Sequence, residues 1–311
     1  MLKTLLAAAS GLAVVGAGAF WFITAPTRTA EAALPNHVAD LANGERIFHA
    51  GGCASCHAAP GAKGEEKLKL GGGLALNTPF GVFNVPNISP DPQTGIGGWS
   101  TVDLVNAMMH GTSPEGANYY PSFPYTSYAR MRVEDVIDLK AYLDTLPVVV
   151  NQVADHQLGF PFSVRRGVGL WKRLYLDPSP VVALPADASD AMRRGQYLVE
   201  GPGHCGECHT PRGPIGGLQT ATWLAGAANP EGKGVIPNLT PHAEGLESWS
   251  ESDIAYALES GFKPDYDSFG GSMVAVQENM ALLPAEDRDA IAAYLAAIPP
   301  HPDAVSAEPG S

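Results

Sequence analysis

Cysteine is scarce in this chain: four in 311 residues, all inside two five-residue stretches. No thiol is left over for a disulfide framework or a lone nucleophile. Positive charge is short as well, with 19 Lys and Arg against 32 Asp and Glu and a formal net charge of −13. That balance disfavours nucleic acid and anionic membrane surfaces as partners. It favours the basic face of another protein, or simply solubility. Charged residues make up only 16% of the chain and apolar residues 45%, which excludes a disordered polyelectrolyte. Glycine (35) and proline (27) are plentiful, so much of the backbone is predicted to be loop. A small loop-rich domain cannot build a sufficient centre from its side chains alone.

The two stretches are Cys53-Ala-Ser-Cys56-His57 and Cys205-Gly-Glu-Cys208-His209. Each reads Cys-x-x-Cys-His, the attachment signature of c-type haem. Two thiols flanking two residues can add to the two vinyl groups on one porphyrin edge, and the following histidine can place an imidazole beneath the iron. Two alternatives compete. Paired Cys-x-x-Cys knuckles can share one structural zinc, but such knuckles usually stand a few tens of residues apart. A thioredoxin-like redox pair needs no trailing histidine and does not explain the repetition. Two covalently attached haem c groups, with iron held by His57 and His209, are the better reading.

The N-terminus carries an almost uninterrupted apolar run from Leu5 to Ala25 behind Lys3. As a helix it spans about 31 Å, enough to cross the hydrocarbon core. Trp21 then falls near the outer interface and Lys3 stays inside. A cleaved signal peptide is the rival, with Ala30-Glu31-Ala32 as a small-x-small site, but a signal core is usually shorter. Residues 1–30 therefore form an anchor or signal segment, and either version exports the rest of the chain.

Self-similarity divides the remaining residues. Gly44-Glu-Arg-Ile-Phe matches Gly195-Gln-Tyr-Leu-Val, and Val85-Pro-Asn-Ile-Ser-Pro matches Ile236-Pro-Asn-Leu-Thr-Pro. Trp99-Ser100 matches Trp249-Ser250, and Ala141-Tyr-Leu143 matches Ala293-Tyr-Leu295. The nearly constant offset implies a duplicated domain. The predicted division is 35–150 and 188–300 as two cytochrome c-type domains, 151–187 as a connector, and 301–311 as a disordered tail. The fold class is all-α, two tandem domains behind one membrane helix. In each copy a first helix (about 38–50 and 188–200) precedes the haem run. A middle helix opens at Ser100-Thr-Val-Asp103 or Ser250-Glu-Ser-Asp253, both resembling capping boxes. A last helix carries Tyr142 or Tyr294, and Gly44 and Gly195 are expected to let the first helix pack closely against those tyrosines. The connector, with Phe160, Phe162, Arg165, Arg166 and Trp171, either wraps the seam with arginines near the haem propionates or merely joins surfaces.

The opposite face of each iron is read from the loop before the last helix, where methionine is the usual sixth ligand. In the first copy that loop holds Met131, while Met108 and Met109 fit a core-filling role in the middle helix. His110 is an alternative that would give a bis-histidine haem. In the second copy Met273 and Met280 compete. Met273 is preferred because Gly270-Gly271 would let backbone approach the porphyrin. A backbone carbonyl near Pro60 or Pro211 is expected to accept the proximal imidazole N–H. The Pro86-Asn87 and Pro237-Asn238 turns either lie along a propionate edge or are ordinary loop punctuation.

On these residues, and on Asn87-Ile-Ser-Pro-Asp91, Gly97-Gly-Trp-Ser100, Tyr120 to Tyr128 and Gly270-Gly-Ser-Met273, the chain resembles the di-haem class I cytochromes c. More narrowly, it is similar to membrane-anchored cytochrome c subunits of periplasmic dehydrogenases. Many such subunits carry three haem runs, and some place methionine where this chain has Phe123, which supports Met131 as the ligand. The resemblance implies a carrier without catalysis of its own. It would pass single electrons from a periplasmic dehydrogenase through two His/Met haems towards the respiratory chain, held at the bacterial inner membrane with its haem domains in the periplasm. The rival is a di-haem redox enzyme, of peroxidase or thiosulfate-oxidising type, with one open or displaceable distal site.

Overall fold

The computed structural model describes residues 1–229 and 234–305. An apolar helix, α1 (Leu2–Ile23), leads the chain with no buried residue. The first half then contains α2 (Leu41–Ala50), α3 (Cys53–His57), α4 (Thr101–His110), α5 (Tyr125–Tyr128) and α6 (Val133–Leu143). After α7 (Val168–Tyr175) the same order returns as α8 (Asp190–Glu200), α9 (Gly206–His209), α10 (Glu251–Ser260), α11 (Met273–Met280) and α12 (Ala285–Ala297). The class is mostly helical. Short strands follow the haem runs: β1 (Ala75–Thr78) pairs antiparallel with β2 (Gly81–Asn84), and β3 (Gln157–Leu158), from the connector, adds to β2. In the second half β4 (Ala227–Ala228) pairs with β5 (Val235–Ile236).

Local chemistry accounts for the helix borders. Asp40 caps α2 by accepting from the Ala42 and Asn43 amides. Ser100 and Asp103 close a reciprocal capping box at α4, and Ser250 and Asp253 do the same at α10. Both helices end on a left-handed glycine, Gly111 or Gly261.

Helices α2 and α6 cross in the first half, as α8 and α12 do in the second, and each crossing is licensed by a glycine. A Cβ on Gly44 would collide with the Asp138 carbonyl and come within 2.8 Å of Tyr142 Cβ. One on Gly195 would strike the Ala290 carbonyl and come within 2.7 Å of Tyr294 Cβ. Around the first crossing lies a core of Ile47, Phe48, Leu104, Met108, Val136 and Leu139. Around the second lie Leu198, Val199, Trp223, Ile254, Ile291 and Leu295.

The connector spans both halves. Arg165 donates to the Asn118 carbonyl at 2.7 Å, and the Trp171 indole donates to the Ile215 carbonyl at 2.9 Å. At the far end, residues expected to be loose are tied down. The Asn238 amide donates to the His301 carbonyl, and the Ala304 amide donates to the Ala225 carbonyl. The remainder of the expected tail, 306–311, lies outside the described residues.

Two candidate haem sites

Each histidine of the two runs is the last residue of its short helix. His57 Nδ1 donates to the Pro86 carbonyl at 2.9 Å, and His209 Nδ1 donates to the Pro237 carbonyl at 2.8 Å. With the proton committed to Nδ1, each ring presents the Nε2 lone pair for a metal. The accepting carbonyls are not those near Pro60 or Pro211. They arrive on a loop that returns to the haem run, where the Gly72 amide bonds the His57 carbonyl and the Gly226 amide bonds that of His209. The following asparagines, Asn87 and Asn238, are buried and pin the loop. Asn87 donates to the Val149 carbonyl at 2.7 Å, and Asn238 to that of His301 at 2.8 Å. Burial holds both imidazoles below their ordinary value, partly offset by the carbonyl bond, so the neutral ligating form prevails at pH 7.

No disulfide joins the cysteines. Burial, with a contribution from Cys56, pushes the Cys53 thiol up to about 12, and burial with Cys208 does the same for Cys205. Neither is a ready thiolate, which argues against a redox pair. Among the described residues no three His, Cys, Asp or Glu side chains cluster as a metal cage, so the two runs do not converge on zinc. The donor set in each half, two thiols about one helical turn apart and one imidazole with its Nε2 lone pair available, fits one c-type haem.

Methionines complete the picture unevenly. Met131 is 4% exposed in the first core, where Cys53 packs against the same cluster. Met280 is 3% exposed in the second core, with Cys205 packed against it. Both stand just ahead of the last helix of their half. Met273 opens α11, half-buried, and does not belong to that core. Gly270 and Gly271, just ahead of it, form an exposed turn with Gly271 at φ +57°. His110 is occupied elsewhere, with Nε2 2.8 Å from the Thr29 hydroxyl. Met108 lies in the first core and Met109 packs against it.

Local sequence pattern does not single out the residues that join the halves. Tyr128, packed near Cys53, meets the His204 ring edge-on at 5.7 Å, and His204 directly precedes Cys205. Each haem run also reaches the opposite half through its second intervening residue. Glu207 accepts from Thr126 and Ser127, both at 2.9 Å, and Ser55 accepts from Asn279 at 2.9 Å. Only the repeat offset relating Ser55 to Glu207 hints at a shared task.

Comparison with known proteins points the same way. The cytochrome c family model matches residues 41–147. A protein of Cereibacter sphaeroides described as "Diheme cytochrome c-type" is 52% identical over 299 residues, covering 96% of this chain and 99% of its own. A nicotinate dehydrogenase subunit of Pseudomonas putida is 36% identical over 277 residues, 86% of this chain but 22% of that subunit. The fructose dehydrogenase cytochrome subunit of Gluconobacter japonicus is 34% identical over 266 residues, 85% of this chain and 53% of that subunit. The chain thus spans only part of the length of these two dehydrogenase subunits. It belongs to the di-haem c-type cytochromes, whose cofactor is covalently bound haem c and whose work is electron transfer.

Proposed function

We propose that this chain is the electron-transfer subunit of a periplasmic dehydrogenase, with one haem in each of two domains, 35–150 and 188–300. Cys53, Cys56, Cys205 and Cys208 hold the porphyrins. His57 and Met131 are the axial ligands of the first iron, His209 and Met280 those of the second. Met280 replaces Met273 in this reading because only Met280 shares Met131's buried place beside a haem-run cysteine. That matched burial is the observation that carries the proposal. Haem c supplies the reversible one-electron change at iron. The chain fixes the imidazoles through Pro86 and Pro237, excludes water with its two cores, and holds the two runs against each other. The relatives named as dehydrogenase subunits support a dehydrogenase as the donor. Electrons then leave towards the respiratory chain.

In the same reading α1 is an uncleaved anchor in the bacterial inner membrane, and the haem domains lie in the periplasm. Support comes from the segment behind α1. Thr24 is fully buried, and the Thr29 amide donates to Asn106 Oδ1 at 2.6 Å while Asn106 donates back to the Thr29 carbonyl. Thr112 donates to the Thr27 carbonyl. Cleavage at Ala30–Ala32 would strip these partners from Asn106 and Thr112, both buried.

The test is purification from membranes in mild detergent. The proposal expects a dehydrogenase to co-purify and its substrate to reduce both haems, with no carbon monoxide bound by the reduced protein. Carbon monoxide bound at one haem, or peroxide turnover, would favour the enzyme reading instead.

A further inference from the structure

The connector has no counterpart in either repeat, and its composition breaks with the rest of the chain. From Phe160 to Leu176 it holds Arg165, Arg166, Lys172 and Arg173 and no carboxylate, in a protein of net charge −13. It also exposes large apolar side chains: Phe160 is 85% and Leu174 69% exposed, with Val164 and Leu170 nearly half exposed.

Its position gives these features a meaning. Helix α7 and the turn that leads into it are bonded to the last turn of α1. Arg166 donates to the Trp21 carbonyl at 2.5 Å and to the Thr24 hydroxyl at 2.9 Å, and Arg173 donates to the Ile23 carbonyl at 2.6 Å. The Arg166 guanidinium also lies 4.1 Å from the centre of the Trp21 ring. Gly169 allows the approach, since a Cβ there would collide with the Thr24 carbonyl. Within α7, Leu170 stands next to Gly169 and three residues before Arg173, beside the contact with α1, and Leu174 follows it on the next turn. The opposite face is turned inward. Lys172 is buried there and donates to the His110 and Gly111 carbonyls and to Asn118 Oδ1.

We infer that α7 and the loop leading into it form a membrane-surface dock, seating Leu170 and Leu174 among the headgroups beside the exit of α1, with Arg166 and Arg173 fixing the segment to that exit. This rests on the anchor reading above. A helix bonded to the final turn of a spanning helix is held at the depth where that helix leaves the bilayer. Apolar side chains with flanking arginines are what that layer accepts. The acidic remainder of the protein is kept off an anionic surface, so a single basic and apolar face fixes how the haem domains stand over the membrane. A loose tether would leave that orientation free. A protein partner on the same face is the competing occupant, and the test separates the two.

The full chain, as purified with any co-purifying dehydrogenase, is reconstituted into vesicles of phosphatidylethanolamine and phosphatidylglycerol. The vesicles carry a photoactivatable acyl chain, and adducts are mapped by mass spectrometry. The dock predicts adducts in peptides spanning 160–176 as well as in α1. In the double variant Leu170→Asp/Leu174→Asp, connector adducts should fall about tenfold or more, with α1 adducts and the haem spectrum unchanged. Adducts confined to α1 overturn the dock and leave the anchor standing. Adducts in neither overturn both. Cross-links from 160–176 to a dehydrogenase, with no lipid adducts there, overturn the dock in favour of a protein interface.

Discussion

The two halves meet across a seam where the same geometry is built twice with different chemistry. Asp135 and Asp287 occupy equivalent positions near the start of α6 and α12, and each is bound both from its own half and from the other. Asp135 accepts from Asn43 at 2.8 Å, from Arg132 at 3.1 Å and from the Tyr197 hydroxyl. Asp287, fully buried, accepts from Arg194 at 2.7 Å and from Arg46 at 2.5 Å. Asn43 corresponds to Arg194, and Arg46 to Tyr197. A duplicated domain that packs against its own copy offers each carboxylate the same two neighbouring positions. One half filled those two positions with neutral donors and took its cation, Arg132, from the residue before α6; the other filled both positions with cations. The lesson is that duplication preserves position while leaving the strength and the pH response of each contact free to diverge.

Removing the anion from the ionic lock is expected to have the largest effect. Asp287→Ala leaves two arginines facing a buried void and should cost about 3–5 kcal/mol, read as a lower thermal midpoint of the haem-loaded protein. Asp135→Asn, where two neutral donors and the largely exposed Arg132 face the carboxylate, should cost only about 1 kcal/mol. Equal losses would show that the two locks do not differ in kind.

The positions just ahead of the first cysteines sharpen the comparison. Gly52 and His204 are equivalent and both left-handed, at φ +56° and +38°. Gly52→Ala should cost about 1–2 kcal/mol, the usual penalty for a Cβ in that conformation. His204→Gly relieves a strain of about that size and loses a ring contact of about 0.5–1.5 kcal/mol, so its net effect should be small. A large loss at His204 would mean that the Tyr128 contact governs the seam.

Acid should separate the locks most gently. Burial alone would raise Asp287, but hydrogen bonds and charge from Arg46 and Arg194 hold it below the ordinary aspartate value. A group depressed in the folded state gives stability that is complete above about pH 3.9 and is lost as pH falls through the folded value. In wild type, a decline in stability as pH falls below about 4 is expected, and Asp287→Asn should remove its steepest part. An unchanged acid limb in the variant would assign the decline to other carboxylates.

How much of the molecule is legible in its sequence depends on distance along the chain. The haem runs, the capping boxes at Ser100 and Ser250, and the glycine–tyrosine crossings at Gly44 and Gly195 are local or repeated patterns, and reading alone exposes them. The carbonyl that orients each histidine is not where local spacing points, because it comes from Pro86 or Pro237, nearly thirty residues on. Gly270-Gly271 does not by itself choose between Met273 and Met280, because glycine serves exposed turns as readily as close approaches. The Asp287–Arg46 contact joins residues 241 apart and depends on how the copies pack. One copy alone could not reveal it.

The central claim is that each iron is gripped by one imidazole and one thioether, and the weak sulfur-to-iron absorption band at the red end of the oxidised spectrum tests it most directly. The account predicts that Met131→Ala and Met280→Ala each remove one half of that band and that Met273→Ala leaves it whole. A band halved by Met273→Ala and untouched by Met280→Ala would contradict it.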